Sequence, residues 1–309
     1  MADISRSDVA ALIQEEYRDS LLGHAFNASA ALSAFENVPL GTKITNLPVL
    51  ASLPEAGWVS ESVSTSAGTK PTSKATWSNK QFVVEEIAVI IPVHEDLLED
   101  STENLLETLT KLGGQAIGKK LDQAVFFGTD KPTTWTSLDL FAAATAAGNI
   151  FQPTATAGVA DLGGSILQAA GAVADSGAEP GVMFSASGLR FRLANLRATD
   201  GSTVFLPSLN AGVGTDSIYG LDAQYLKNGA WDAAKATAMV ADPSLVKIGV
   251  RQDITVKFLD QATVGGINLA EKDMVALRFK ARYAYVLGNV LQSNGTLGEP
   301  VAAVTNPAA

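Results

Sequence analysis

The chain has no cysteine, and only two histidines, His24 and His94, in 309 residues. Without thiols there is no disulfide framework, no thiolate zinc finger, no iron–sulfur cluster and no cysteine nucleophile. Stability must come from packing, strand pairing and partner chains. A basic surplus is also missing. Lys and Arg total 22 against 32 Asp and Glu, a net charge of −10. A dedicated nucleic-acid reader shows the opposite balance, although a local patch can differ from the total. The most apolar stretch, residues 82–93, is too short to span a membrane and carries Glu85 and Glu86. The N-terminus, Met1-Ala-Asp-Ile-Ser-Arg6, has no basic region followed by an apolar core, so it does not read as a secretory signal. Synthesis and folding in a cytoplasm are expected.

What is present is apolar enough to fold. Apolar residues make up 47% and charged residues 17%, which places the chain among globular proteins. Its length suits one large domain or two moderate ones. No repeat recurs at a fixed period.

Residues 5–22 predict an amphipathic helix. Ser5 and Asp8 resemble a capping box, and Val9, Leu12, Ile13, Tyr17 and Leu21 share one face. Residues 23–54 form a thin extended run with Pro39, Pro48 and Pro54 and little to build a core from. Together, residues 1–51 read as an arm that lies on something else. Residues 52–81 are rich in Ser, Thr and Lys. Alternation at 58–63 and 76–80, with a turn signal at 67–71, predicts a long hairpin. An isolated hairpin is marginal in water, so this one needs a surface to rest on.

Residues 82–93 predict a strand ended by Pro92. A long helix follows over 102–127. Leu105, Leu109, Leu112, Ala116 and Leu121 define its apolar face, widened by Leu106, Ile117 and Val125, and Gly128 stops it. Residues 129–158 read as loop. Then come a helix from Asp161 to Ala174, a strand at 182–185, a helix marked by Leu189, Leu193 and Leu196, and strand-like edges at 204–206, 219–225 and 238–241. Two long antiparallel strands close the pattern: one carries Ile254, Val256 and Phe258, the other Val275 to Tyr285 alternating with Arg278, Lys280 and Arg282, with Val264-Gly265-Gly266 between them. Residues 294–309 read as a loose polar tail. The fold class is α+β.

Enzyme chemistry finds little footing. Gly113-Gly-Gln-Ala-Ile-Gly118-Lys119 has the spacing of a phosphate-binding loop, but Lys120 stands where the magnesium-holding Ser or Thr belongs, and the preceding pattern is helical. A small-residue patch within a helix explains Gly113, Gly114 and Gly118, and glycines there permit bending. His94 has acidic neighbours in Glu95, Asp96, Glu99 and Asp100, yet no serine lies in a Gly-x-Ser-x-Gly turn. That cluster also lacks the spacing and central glycine of a calcium loop. It suits the positive end of the following helix. Trp58 and Trp77 flank the polar hairpin and are either contact anchors between chains or local packing.

In order, these pieces resemble the major capsid proteins of tailed bacteriophages, with their Hong Kong 97-type fold. Ser217-Ile-Tyr-Gly-Leu-Asp-Ala-Gln-Tyr225 is similar to a central-domain segment of that family, with Asp222 in place of its proline. Residues 238–251, ending on Arg251, and residues 273–286, with Arg282, resemble its later strands. Residues 187–207, with Leu196-Arg197 and Asp200-Gly201, resemble the helix and turn before them. The resemblance runs over nearly the whole chain.

That resemblance implies a shell subunit without enzymatic activity, cofactor or metal. Residues 1–51 would be an N-terminal arm and 52–81 an extended loop over a neighbouring subunit, with Trp58, Lys70, Pro71, Lys74 and Trp77 as contact candidates. Residues 82–150 and 245–295 would be a peripheral domain with a spine helix, hinged at Gly113, Gly114 and Gly118. Residues 151–244 would be an axial domain, and 296–309 a tail. Partners would be further copies in pentamers and hexamers, a portal, a separate scaffolding protein, a decoration protein and packaged double-stranded DNA, in a virion assembled in the host cytoplasm. Some family members crosslink a loop lysine to an asparagine with help from a glutamate. Lys70, Lys74 or Lys80 could supply the lysine, but Asp273 and Lys280 stand at the other two positions, so a non-covalent shell is expected. An encapsulin-type compartment and a nucleotide-binding enzyme built on residues 113–120 are the competing readings.

Overall fold

The structure is a computed structural model and describes residues 29–52, 54, 73, 75–100, 105–153, 155–156, 159–160, 162–194, 216–292, 295 and 297–306. In chain order its elements are α1 (Ala30–Ala34), β1 (Glu36–Pro39), β2 (Ile44–Ser52), β3 (Thr76–Val83), β4 (Glu85–His94), α2 (Glu95–Asp100), α3 (Leu105–Phe127), α4 (Leu140–Ala146), β5 (Ile150–Phe151), α5 (Leu162–Asp175), β6 (Val182–Ala186), α6 (Leu189–Ala194), β7 (Asp216–Ile218), β8 (Leu221–Leu226), β9 (Ala238–Ala241), β10 (Val246–Leu259), β11 (Met274–Leu287) and β12 (Val301–Val304). The fold is mixed α+β. The predicted helix over 5–22 lies outside the described residues.

Two sheets carry the architecture. One has the order β1-β10-β11-β4, the other β5-β12-β9-β6-β8-β7. In the first, the long strands predicted from alternation pair antiparallel, with Val246 opposite Leu287 and Val256 opposite Phe279. At the turn, Gly265 and Gly266 have φ of 59° and 83°, the left-handed pair a tight hairpin needs. β1 joins the free edge of β10 in parallel.

Helix α3 packs its inner face on this sheet. Leu109, Ile117, Leu121, Ala124 and Val125 are buried. Leu112 and Ala116 are not: Leu112 is 51% exposed, and Ala116 is exposed too. The expected apolar face is therefore rotated, and Gly113 explains why. A Cβ on Gly113 would lie 2.8 Å from the Phe279 ring, so the glycine lets helix and sheet approach closely there. Leu112, one residue earlier, turns away.

The helix end joins the second sheet. Phe126 packs tilted against Phe184 at 4.8 Å between centroids, Phe35 against Phe184 at 5.1 Å, and Phe127 meets Trp231 edge-on at 5.2 Å. One core runs through this aromatic cluster from sheet to sheet. On the other face of the second sheet, Leu162, Ile166 and Val173 of α5 pack against Met183, Val240 and Ala302.

Several expectations need correction. Of the run expected over 23–54, residues 29–52 are not thin: Ala31, Leu32 and Phe35 lie in the main core. The hairpin starts earlier than 52, because β2 pairs with β3 from Ile44↔Val83 to Ser52↔Thr76. Residues 58–63 and 67–71 lie outside the described residues. The strand over 82–93 is two strands broken at Val84, and Pro92 does not end it: β4 continues to His94, with Pro92 opposite Ala276. β4 is an edge strand, with only one ladder to make, so a missing N–H is tolerated. The loop over 129–158 contains α4, capped by Asp139, whose Oδ2 accepts from Ala142 N at 3.1 Å.

The tail is the largest correction. Val301, Ala302, Ala303 and Val304 are fully buried, and β12 lies between β9 and β5. Small side chains let the strand sit inside a sheet covered on both faces.

Candidate functional site

Two junctions hold the parts of the fold together. The first junction is polar. Asp122, on the inner side of α3, is fully buried. Its carboxylate accepts from Ser29 Oγ at 2.7 Å, Ala30 N at 3.0 Å, Ala31 N at 3.1 Å and Asn228 Nδ2 at 2.7 Å. Ser29 Oγ in turn accepts from Leu32 N and caps α1. One carboxylate thus ties α1, the long helix and the loop after β8. Burial pushes the Asp122 carboxyl up to about 6, although its four donors favour the ionised form. No sequence motif announced it, because its partners lie 93 and 106 residues away.

The second junction holds the hairpin. Phe82 and Val84 pack with Leu40 on Ala284 and Val286. Beside them, Lys80 Nζ donates to Leu287 O and Asn289 Oδ1, and Asn289 Nδ2 donates to Glu299. Burial lowers the Lys80 pKa and raises that of Glu299. Lys80, weighed as a crosslinking lysine, is thus engaged at the hairpin base within its own chain.

Of the contact candidates, Trp77 stands 69% exposed on β3. Trp58, Lys70, Pro71 and Lys74 lie outside the described residues. The other tryptophans pack locally: Trp135 is buried and donates to Val83 O at 2.9 Å, and Trp231 donates to Ala236 O at 2.8 Å. Gly113, Gly114 and Gly118 all fall on the buried side of α3, which runs unbroken through them.

Among the described residues, the two catalytic candidates weighed in the sequence do not take the arrangement that chemistry needs. Residues 113–120 are helical throughout, not a loop after a strand. His94 is exposed at the end of β4. Among the described residues, no group of three or more His, Asp or Glu side chains could hold a metal ion. Lys280 pairs with Glu86 at 2.6 Å, and Asp273 is a turn residue with φ of 48°. No helix among the described residues is long and apolar enough to cross a membrane.

Comparison with known proteins adds the wider context. A family model described as the phage capsid family matches residues 10–290. A solved structure from Mycobacterium phage Bobi is similar at 52% identity, covering 100% of both chains, with a TM-score of 0.82. One from Mycobacterium phage Adephagia is 50% identical, covering 100% of this chain and 99% of its own, also at 0.82. One from Microbacterium phage Oxtober96 is 40% identical, covering 99% and 100%, at 0.77. No curated protein matches.

Proposed function

The chain belongs to the phage capsid family, and from that premise we propose that its copies close non-covalently, with a separate scaffolding protein, into an icosahedral shell around double-stranded DNA. It is a phage major capsid protein, a shell-forming component of the virion. The finer reading assigns parts within the shell. The four-stranded sheet with α3 is the peripheral domain and its spine. The six-stranded sheet is the axial domain at the symmetry axes of pentamers and hexamers. The hairpin is the extended loop that reaches over a neighbour. A portal, packaged DNA and a decoration protein complete the set of partners.

The observation that carries this reading is the hairpin base. On β3, Phe82 is 2% exposed and holds the hairpin to its own sheet, while Trp77, five residues along, is 69% exposed. A large exposed aromatic on a two-stranded ribbon is an anchor for another chain. Support for a non-covalent shell comes from Lys280, which pairs with Glu86 where the family's catalytic glutamate would stand.

Negative-stain microscopy of the expressed full chain, alone and with its scaffold, tests the shell. Denaturing electrophoresis of mature particles tests the bonding: single subunits are expected, and a ladder of covalent oligomers overturns that part. Copurification of DNA, and not of a host enzyme, is the expected cargo result.

A further inference from the structure

The sheet face opposite α3 is divided. Its proximal half, with Ala284 and Val286, lies under Leu40, Phe82 and Val84 at the hairpin base. Side chains two apart share a face, so the distal half carries Arg282, Lys280 and Arg278 of β11. The register sets Lys257 of β10 opposite Arg278 on one side and Ile90 of β4 on the other. Among the described residues this half is open: Ile90 is 40% exposed, and Lys257 is exposed beside it. On a chain of net charge −10, it is a basic shelf.

The shelf already binds one carboxylate. Glu86 meets Lys280 at 2.6 Å and Arg282 at 3.2 Å. Those cations hold the Glu86 carboxyl below its ordinary range, the Lys280 hydrogen bond contributing most. The other two cations have no such partner. Among the described residues, no carboxylate pairs with Lys257 or Arg278. Arg278 Nε is closed to solvent with no hydrogen-bond acceptor. A buried donor left so is unfavourable until an acceptor arrives.

The same chain carries the complement elsewhere. Residues 81–110 hold Glu85, Glu86, Glu95, Asp96, Glu99, Asp100, Glu103 and Glu107 and no Lys or Arg. In α2, Glu95 and Asp96 are exposed, and Leu97 beside them is 56% exposed. We infer that a second copy of this chain seats α2 on the shelf, with Glu95 and Asp96 against Lys257 and Arg278 and Leu97 against Ile90. Among the described residues the contact is not made within one chain. Glu95 N donates to Asp273 O at 3.0 Å, which fixes α2 beyond the strand end. Arg278 lies opposite Ile90, four residues before His94, about 13 Å back along the strand.

Seat and occupant are different patches of one subunit, so a contact made once per pair of copies is head-to-tail. Interfaces of that kind propagate into rings. A phosphate backbone would also answer the cations, but Glu86 would repel it and Ile90 would gain nothing from it. The inference rests on the shell-forming reading and adds the partner segment to it.

The test is charge exchange in the full-length chain, with folding checked by circular dichroism and thermal melting. Lys257→Glu with Arg278→Glu, and separately Glu95→Lys with Asp96→Lys, should each lower the yield of closed shells at least about tenfold, since like charges then face each other. The four changes together should restore assembly. Lys257→Gln with Arg278→Gln, a milder variant, should weaken shells without reversing charge. Full assembly by either charge-reversed pair overturns the inference. So does failure of the combination to rescue when both pairs fold. If the basic-shelf variant assembles but no longer retains DNA, the shelf faces nucleic acid and the inference is wrong. If the unaltered chain forms no shells with its scaffold, the shell-forming reading fails first.

Discussion

Ser29 and Asp122 meet through a 2.7 Å hydrogen bond across 93 residues of sequence, and both are buried. Ser29 caps α1 and Asp122 is on the long helix, so this bond holds the short helix against the long one. Losing the Ser29 hydroxyl removes a helix cap and one charge-assisted bond. Ser29→Ala should lower unfolding free energy by about 1–2 kcal/mol. Asp122→Ala strands several donors and should cost about 3 kcal/mol or more. Chemical denaturation of the isolated subunit measures both.

The same carboxyl makes stability depend on pH. Its folded pKa, about 6, lies above the ordinary 3.8 because burial outweighs the donors. The native state therefore holds the proton more tightly than the unfolded chain between those values. Stability from this group is greatest below about pH 4 and falls as pH rises toward 6, by about 3 kcal/mol in all. Asp122→Asn removes that titration. The difference in melting temperature between the native subunit and Asp122→Asn should shift against the native subunit from pH 4 to pH 7. A difference independent of pH would mean that the carboxyl does not titrate in this window.

Gly113 separates two opposing effects. Alanine should strengthen an isolated helix by about 1 kcal/mol. Here its Cβ would lie 2.8 Å from the Phe279 ring, and overpacking costs about 1–3 kcal/mol. The clash should win, so Gly113→Ala should destabilise the subunit. Adding Phe279→Leu should recover part of the loss. If Gly113→Ala leaves stability unchanged but blocks shell expansion, hinging and not close packing is its role.

What sequence revealed and what it hid divide along physical lines. Long strands show themselves by alternation, as Lys257 and Arg278 do against Val256 and Phe279. The long helix was legible in extent, but its rotation was not. Leu112 fits the apolar stripe as well as Leu109 does; only the approach of Phe279 to Gly113 decides between them. β12 was missed because Val301-Ala-Ala-Val304 is short and bounded by Pro300 and Asn306. Its stability is all tertiary, from pairing with β9 and β5. Ending the chain before Val301 should therefore leave the six-stranded sheet open and the protein insoluble on expression. A soluble subunit with native circular dichroism from that truncation would show the strand to be dispensable.

Lys80 bonds tie the hairpin base to Leu287 and Asn289. Replacing it by methionine keeps much of the apolar stem and removes the donors. The isolated Lys80→Met subunit should keep its fold, because Phe82 and Val84 remain packed. Its hairpin should open more often, and tryptic cleavage after Lys74 should be faster than in the unaltered subunit. Equal rates would show that the apolar contacts alone fix the hairpin.

Trp77 provides the cleanest separation of folding from assembly. Being 69% exposed, it gives the lone subunit little buried area, so Trp77→Ser should change subunit stability by no more than about 0.5 kcal/mol. If a neighbour buries the ring, its loss from an interface centre costs about 2 kcal/mol or more per contact. Because the contact repeats over the shell, the effect on closed particles should far exceed the effect on monomers. Sedimentation of assembled shells against thermal melting of subunits reads the two separately. Deleting residues 64–73 should act in the same direction, leaving a foldable subunit that fails to form stable shells. Should both variants assemble normally, the hairpin is not an assembly element, and the exposure of Trp77 must serve a face that the shell leaves uncovered.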